Sequence, residues 1–536
     1  MTRPSFAALT AATLLAGCNL APHYIRPVGA VPATLPQGGV YPPAATDAPD
    51  VTRIGWRDFF VDARLRDVIA AGLANNRDLR VAAANVLQAR ARYRGQRAEF
   101  LPQIGAQASA TFTNNPFGAA GAGNGTGGAT GTGVGPATGG GTGSTVGGTT
   151  GTATGGGTGT GTGTGVGTGV GTGVGGSTGD LQYYSVNAGF SSYELDLFGR
   201  VRNLTRAALE QYFASQEAQR GARVTLIAEI ATAWLQLAAD GDQLALSRST
   251  LQTFEQTRTL TEAQFRIGVA SELQSRQADT NYQAALNDIA VLDTRIAQDR
   301  NALELLVGAP VAPTLLLAAL GEGDATLATL PADLSSAVLL RRPDVIGAEH
   351  QLIAQNANIG AARAARFPSI SLTGTVGTIS TALSGLFTGG SFTYTAAPAV
   401  TLPIFDGGRV TANIRLAEGQ RAAALASYER TLQVAFREVA DALAQRGTMD
   451  RQIAAQVARA RSADVAARLS DARYRAGVDS FLTSLDSQRT AYAARQQLVT
   501  TRLARTSNLV ELYRSLGGGL DDPPLPLSSP APLPSR

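Results

Sequence analysis

Apolar residues recur along this chain with two different periods, and the switches between them mark out the elements. Trp56, Phe59 and Phe60 open the packed region. A helical pattern then runs from about Ala63 to Glu99, interrupted by a turn signal at Asn75-Asn76. Pro102 begins a strand period, in which Ile104, Ala106, Ala108, Ala110 and Phe112 alternate with Gln103, Gly105, Gln107, Ser109 and Thr111. Alternation resumes with Tyr184, Val186, Ala188 and Phe190 against Tyr183, Ser185, Asn187 and Ser191. These two strands predict a hairpin whose turn is enlarged by a Gly/Thr-rich tract at 118–179. That tract has no aromatic or charged residue, so it cannot bury enough surface to offset its ordering entropy and reads as a flexible loop. From Gly199 to about Arg266 the period is helical again, with Ile230, Leu237, Leu244 and Leu251 every seventh residue and Ile227, Trp234 and Phe254 on the same stripe. A sustained seven-residue repeat predicts helices that supercoil on one another. At ~1.5 Å per residue the helix is on the order of 100 Å long. A return helix carries Ile289, Leu292, Ile296, Leu303 and Leu306 to Gly308-Ala309-Pro310.

The plan then repeats. Arg342-Pro343-Asp344 leads a helix to Arg366, and Pro368 opens a strand with Ile370, Leu372 and Val376 on one face. Its partner carries Phe392, Tyr394, Val400, Leu402 and Ile404 against Thr393, Thr395 and Thr401. A long helix from Arg409 to Arg475 and a last one from Ser480 to Leu516 follow. The two joints between long helices are near copies: Phe265-Arg266-Ile267-Gly268-Val269-Ala270-Ser271 and Tyr474-Arg475-Ala476-Gly477-Val478-Asp479-Ser480. In each, Gly suits the left-handed residue that ends one helix and Ser caps the next, so both read as hairpin tips. Gly199 to Gly408 and Gly268 to Gly477 are each 209 residues apart, whereas Pro102 to Pro368 is 266. The excess of 57 lies wholly within the first strand turn, where insertions cost least.

Composition changes the picture at one place above all. Among 536 residues with a net charge of +4 there is a single Cys, which excludes an internal disulfide framework. The basic start at Arg3 and the apolar run Leu14-Leu15-Ala16-Gly17-Cys18 resemble a bacterial lipoprotein signal, in which Cys18 becomes the lipidated first residue; a buried Cys in an Ala-rich segment is the alternative. No other run reads as long and apolar enough for a membrane helix, so any crossing of a bilayer must be made by strands. Four strands cannot do this alone, because their edges would present unpaired amides to lipid. Several chains must then share one barrel, unless the sheet packs its apolar face on the helices of a soluble protein. His23 and His350 are too far apart to pair, and the Gly-Thr tract lacks the Lys of a phosphate loop, so no enzyme, cofactor or metal site is expected. The mixed charges do not suggest nucleic acid.

The motifs Leu15-Ala16-Gly17-Cys18, Tyr193-Glu194-Leu195-Asp196-Leu197-Phe198-Gly199-Arg200, Leu340-Arg341-Arg342-Pro343-Asp344-Val345, Leu402 through Arg409 and Tyr474 through Arg489 occur in order. On these the chain resembles the TolC/OprM-type outer membrane efflux proteins, specifically their lipoprotein branch. The resemblance implies a mixed α and β fold: a duplicated repeat supplies four membrane strands per chain, a homotrimer closes a twelve-stranded barrel, and coiled helical hairpins form a long periplasmic barrel. It implies a passive exit duct for drugs or other small toxic compounds in the outer membrane of a Gram-negative bacterium. A periplasmic membrane-fusion adaptor and an inner-membrane pump of the resistance-nodulation-division type are the implied partners, beside outer-membrane lipid. The tips would meet the adaptor through Arg266, Gly268, Val269, Tyr474, Arg475, Gly477, Val478 and Asp479. Leu482 and Asp486 match positions that narrow the pore in relatives, with Arg489 as a stabilising partner. Their spacing of four and three puts them on one helical face. On the residues alone, ordinary packing for Leu482 and an exposed ion pair between Asp486 and Arg489 explain the pattern as well as a gate does. The first tip has Gln277 and Thr280 at the equivalent positions, so one ring of Asp is expected.

The expected boundaries are a signal peptide at 1–17, an extended segment at 18–62, a first repeat at 63–309, a linker at 310–334, a second repeat at 335–516 and a Gly/Pro-rich tail at 517–536. Two other functions fit parts of the pattern: a duct for protein secretion, and an adhesin or structural coiled-coil lipoprotein displaying the Gly/Thr tract.

Overall fold

The computed structural model describes residues 19–42, 54–113, 181–317, 319–320 and 335–518. Cys18, the signal peptide, the Gly/Thr tract, most of the linker and nearly all of the tail lie outside them. A short helix, α1 (Trp56–Phe59), lies in the segment expected to be extended, and the first repeat then contains α2 (Ala63–Asn75), α3 (Arg77–Ala98), β1 (Gly105–Thr113), β2 (Leu181–Leu195), α4 (Arg200–Arg266) and α5 (Glu272–Val307). The second contains α6 (Pro343–Ala364), β3 (Ser369–Ser380), β4 (Phe392–Thr401), α7 (Arg409–Arg475) and α8 (Phe481–Ser515). The duplicated helices match in length: α3 and α6 have 22 residues each, and α4 and α7 have 67 each. Both long helices start after a glycine in the left-handed region, Gly199 at φ 76° and Gly408 at φ 89°, where a side chain would be strained.

The described chain divides into a helical body (residues up to 101, 194–370 and from 400 onward) and a strand unit (102–193 and 371–399). The body has two main cores, the larger centred on the first repeat and drawing in α8, the other in the second repeat. Trp56, Phe59, Phe60, Leu65 and Ile69 pack on Ile227, Ile230 and Trp234 of α4 and on Leu303 and Val307 of α5. Phe59 stacks on Tyr513 of α8 with ring centroids 3.9 Å apart, and the Trp234 indole donates to the Leu315 carbonyl at 2.9 Å. One stretch of α4 passes for a membrane helix by length and composition, contrary to the sequence reading. More than half of it is buried, because it is the centre of this core. In the second repeat Leu339, Val345 and Leu352 meet Tyr428, Leu432, Val439 and Leu443 of α7. Arg342 ties the pieces together: buried at 6% exposure, it donates to the Ser515 carbonyl, Asp344 and Glu438 at 2.6–2.8 Å. That pairing offsets the desolvation of its charge.

The seven-residue seam of α4 does not follow the leucines throughout. Ile230 and Leu237 are buried, but Leu244 and Leu251 are only half-buried. Beyond Leu237 the buried seventh positions are Asp240, Ser247, Phe254 and Thr261. Polar residues hold the seam because each finds a bond there. The Ser247 hydroxyl meets the Tyr492 hydroxyl at 2.7 Å, and the Thr261 hydroxyl donates back to the Thr257 carbonyl at 2.9 Å. Tyr492 donates in turn to Asp288 at 2.9 Å, joining α8 to α4 and α5.

The N-terminal segment runs as a strap over the second repeat. Arg26 forms a bidentate pair with Glu349 at 2.7 and 2.8 Å, to which Tyr24 also donates, and Asn356 donates to the Pro22 carbonyl at 2.6 Å. Gly360 lets Ala21 approach, and Gly447 does the same for the Val40 carbonyl, which a Cβ there would overlap.

In the strand unit the sheet order is β1-β2-β3-β4. The antiparallel register of β1 and β2 sets Ala106 opposite Ala188, Ala108 opposite Val186 and Ala110 opposite Tyr184, with Gln107 opposite Asn187 and Ser109 opposite Ser185 between them. The apolar and polar faces of the sequence pattern therefore coincide across the ladder. Gly189 and Gly374 lie where β2 and β3 approach: a Cβ on the first would overlap the Gly374 carbonyl, and on the second would meet the Phe190 ring at 2.9 Å. Large apolar side chains remain exposed, among them Phe112, Val376, Phe392 and Tyr394. β4 is shorter than its alternation suggests. It ends at Thr401, and Leu402 and Ile404 lie beyond it.

Candidate functional site

The two tips share one backbone design. At the first, Gly268 has φ 79°, its N–H donates to the Phe265 carbonyl at 3.0 Å, and the Val269 N–H reaches the Gln264 carbonyl at 2.9 Å. At the second, Gly477 has φ 74°, with the matching bonds from Gly477 to Tyr474 and from Val478 to Arg473, both 2.9 Å. Each is the paired-bond ending that satisfies a helix's last carbonyls. Ser271 and Ser480 then cap α5 and α8, accepting from Gln274 and Thr483.

The side chains on these equal frames differ. Arg266, Gly268, Val269, Gly477 and Val478 are exposed at the turns. Arg475 pairs with Asp471 at 2.9 Å. Arg473 grips Asp479 through two bonds of 2.6 and 3.1 Å across the second turn, and this guanidinium holds the carboxyl below the ordinary carboxylate range. The first tip has Gln264 and Ala270 at those places and no such clamp. Gln264 serves instead as the tie between tips, accepting from the Tyr474 hydroxyl at 2.7 Å. Neither Arg473 nor Gln264 stands out in the sequence. A six-residue spacing brings opposite charges together only when a left-handed glycine folds the chain between them.

Beyond the second turn, α8 sorts its residues by face. Phe481 and Leu485 are 1% and 5% exposed, packing with Ala278 of α5 and with Tyr474, and Gln488 is buried beside them. The complementary face carries Leu482, Asp486 and Arg489, all exposed, with Leu482 at 60%. Among the described residues no ion pair joins Asp486 to Arg489. On α5 the equivalent stripe is Leu273, Gln277 and Thr280, of which Leu273 is equally bare. Behind Gln488 a groove of about 210 Å³ opens between α4, α7 and α8, walled by the Asp464–Arg495 and Asp471–Arg475 pairs and by Tyr492. His350 lies elsewhere, with Nδ1 2.7 Å from Glu210 as a bond between α6 and α4.

The comparisons with known proteins place this geometry. The family described as Outer membrane efflux protein matches residues 68–309 and 334–518. The toluene efflux pump outer membrane protein TtgC of Pseudomonas putida is 38% identical over 519 residues, 97% of this chain and 96% of the relative. The antibiotic efflux pump outer membrane protein ArpC of the same species matches with the same identity and the same coverage. Among solved structures, the open state of the Neisseria gonorrhoeae MtrE outer membrane channel superposes with a TM-score of 0.74 at 34% identity, covering 94% of this chain and 99% of that one. Kinship that runs nearly end to end, in sequence and in fold alike, makes this chain a member of the outer membrane efflux protein family.

Proposed function

We propose that this protein is the outer-membrane duct of a tripartite efflux system, a homotrimer in which three four-stranded sheets close one twelve-stranded barrel. The observation that carries this reading is a sheet whose order, β1-β2-β3-β4, leaves two edges open while its apolar side chains stay exposed. A neighbouring copy satisfies the edges and lipid covers the side chains. Cys18, lipidated after removal of residues 1–17, anchors each chain, and the duplicated repeats at 63–309 and 335–516 build the helical barrel. Relatives named for toluene and antibiotics support small toxic organic compounds as the cargo class. A periplasmic adaptor and an inner-membrane pump of the resistance-nodulation-division type supply the compound and the energy. The chain itself carries out no catalytic step.

At the far end of α4–α5 and α7–α8, the tips receive the adaptor through Arg266, Gly268, Val269, Tyr474, Arg475, Gly477, Val478 and Asp479. The bare face of Leu482, Asp486 and Arg489 turns to the threefold axis, where Leu482 narrows the opening and Asp486 forms a ring of negative charge. Arg489 has no acid partner among the described residues of its own chain, which supports a pairing with a neighbouring copy. Deleting the gene and measuring susceptibility to solvents and antibiotics tests the assignment. Increased susceptibility is expected, and unchanged susceptibility to every compound contradicts it.

A further inference from the structure

The internal duplication exposes a difference between α3 and α6. The helices have equal length and stand 266 residues apart, so Arg90, Arg94 and Arg97 correspond to Asn356, Gly360 and Arg363. On α6 the N-terminal strap lies at the first two of these positions: Asn356 donates to the Pro22 carbonyl, and a Cβ on Gly360 would meet Ala21, and Asn203 of α4, at 2.8 Å, while Arg363 pairs with Glu418 of α7 at 3.3 Å. On α3 nothing in the described chain covers it. Arg90, Arg94 and Arg97 are all exposed and, spaced by four and three, share one stripe. None makes a side-chain hydrogen bond or ion pair among the described residues, and the nearby Glu99 is engaged by Gln96. Burial does not explain three unpaired guanidinium groups on one bare face.

We infer that Arg90, Arg94 and Arg97 bind the phosphate-bearing headgroups of anionic phospholipid in the leaflet that faces the periplasm. The inference rests on the reading of the chain as an outer-membrane lipoprotein. Two measures of level and side agree with it. Arg97 is eight residues before β1, the first membrane strand. Cys18 is three residues before Ala21, a reach of at most about 11 Å, so the lipid anchor fixes the membrane surface near the level of Gly360. By the duplication, Gly360 is the level of Arg94. The strap must run on the outside to carry a lipid, and the arginine face is its counterpart, so it also looks outward. Guanidinium forks match phosphate oxygens two at a time, which favours a headgroup over diffuse attraction. Arg92, on the opposite side of α3, is the internal control.

The test is native mass spectrometry of the detergent-extracted, full-length oligomer, delipidated and then titrated with phosphatidylglycerol or with phosphatidylethanolamine. The unaltered protein is expected to retain phosphatidylglycerol in preference, and less so at high salt. The triple change R90Q/R94Q/R97Q should weaken that retention by at least about tenfold, while R92Q leaves it intact and the conservative R90K/R94K/R97K restores most of it. Equal retention of the two lipids by the unaltered protein overturns the inference without any variant having to fold. A triple variant that changes the ion selectivity of the channel but not lipid retention also overturns it, by placing the arginines in the lumen. Absence of the unaltered protein from the outer-membrane fraction would instead sink the underlying reading.

Discussion

Single residues separate what the tips hold from what they offer. Phe481 and Leu485 lock α8 against α5, so replacing Phe481 by Ala should cost about 3–5 kcal/mol of stability, read as a lower thermal midpoint. Leu482 and Asp486 are exposed in one chain. Changing both to Ala should leave that midpoint unchanged and raise single-channel conductance; unaltered conductance counts against their narrowing the opening. An Asp486 ring should also favour cations at low salt, and this preference should fade as the screening length shortens to about 8 Å near physiological ionic strength. The Arg473–Asp479 clamp has its own pH signature. Because the folded carboxyl titrates below its ordinary value of 3.8, its contribution is complete above that value. It is lost as pH falls through the lowered one. Protection from hydrogen exchange at Val478 and Asp479, taken relative to the intrinsic amide rate at each pH, should therefore be higher at neutral pH than in acid, and Arg473→Ala should abolish the difference.

At the scale of elements, the interior of the α4–α5 hairpin contains a carboxyl pair. Asp299 of α5 is pushed up to about 6, first by burial and then by the neighbouring Asp240 carboxyl of α4, which is 3% exposed. The folded state thus binds this proton more tightly than the unfolded chain does, so stability falls as pH rises from about 3.8 through about 6. Asp299→Asn should raise the thermal midpoint at pH 7.5 and change it little at pH 4; the reverse order would show that the pair is not protonated as described. The strap offers a parallel check. Gly447→Ala places a methyl against the Val40 carbonyl and should free the segment around Tyr41 to protease, with α7 intact.

Elements are also where the limits of the sequence are clearest. The ends of α3, α4, α6 and α7, the two tips and the faces of β1 and β2 were all legible, because glycine, proline and period act locally. The seam of α4 was not. A count of apolar residues selects Leu244 and Leu251, whereas Ser247 is inside because it meets Tyr492, 245 residues away, and Thr261 because its hydroxyl is satisfied by the Thr257 carbonyl of its own helix. Of the candidate site, the helical face of Leu482, Asp486 and Arg489 followed from spacing. The Tyr474–Gln264 tie did not, since it joins residues 210 apart whose proximity depends on the packing of two hairpins.

For the whole molecule, a chain whose body is closed and whose sheet is open is consistent with assembly from copies of itself. The helical body has its two cores and a buried Arg342 network within one chain. The strand unit has no comparable core among the described residues, and its large apolar side chains stay exposed. The measurement that bears on this most directly is the mass of the particle extracted from the outer membrane in mild detergent. Three acylated chains in one particle are predicted. A particle with the mass of a single chain, or a chain recovered without lipid from the soluble fraction, would contradict the account.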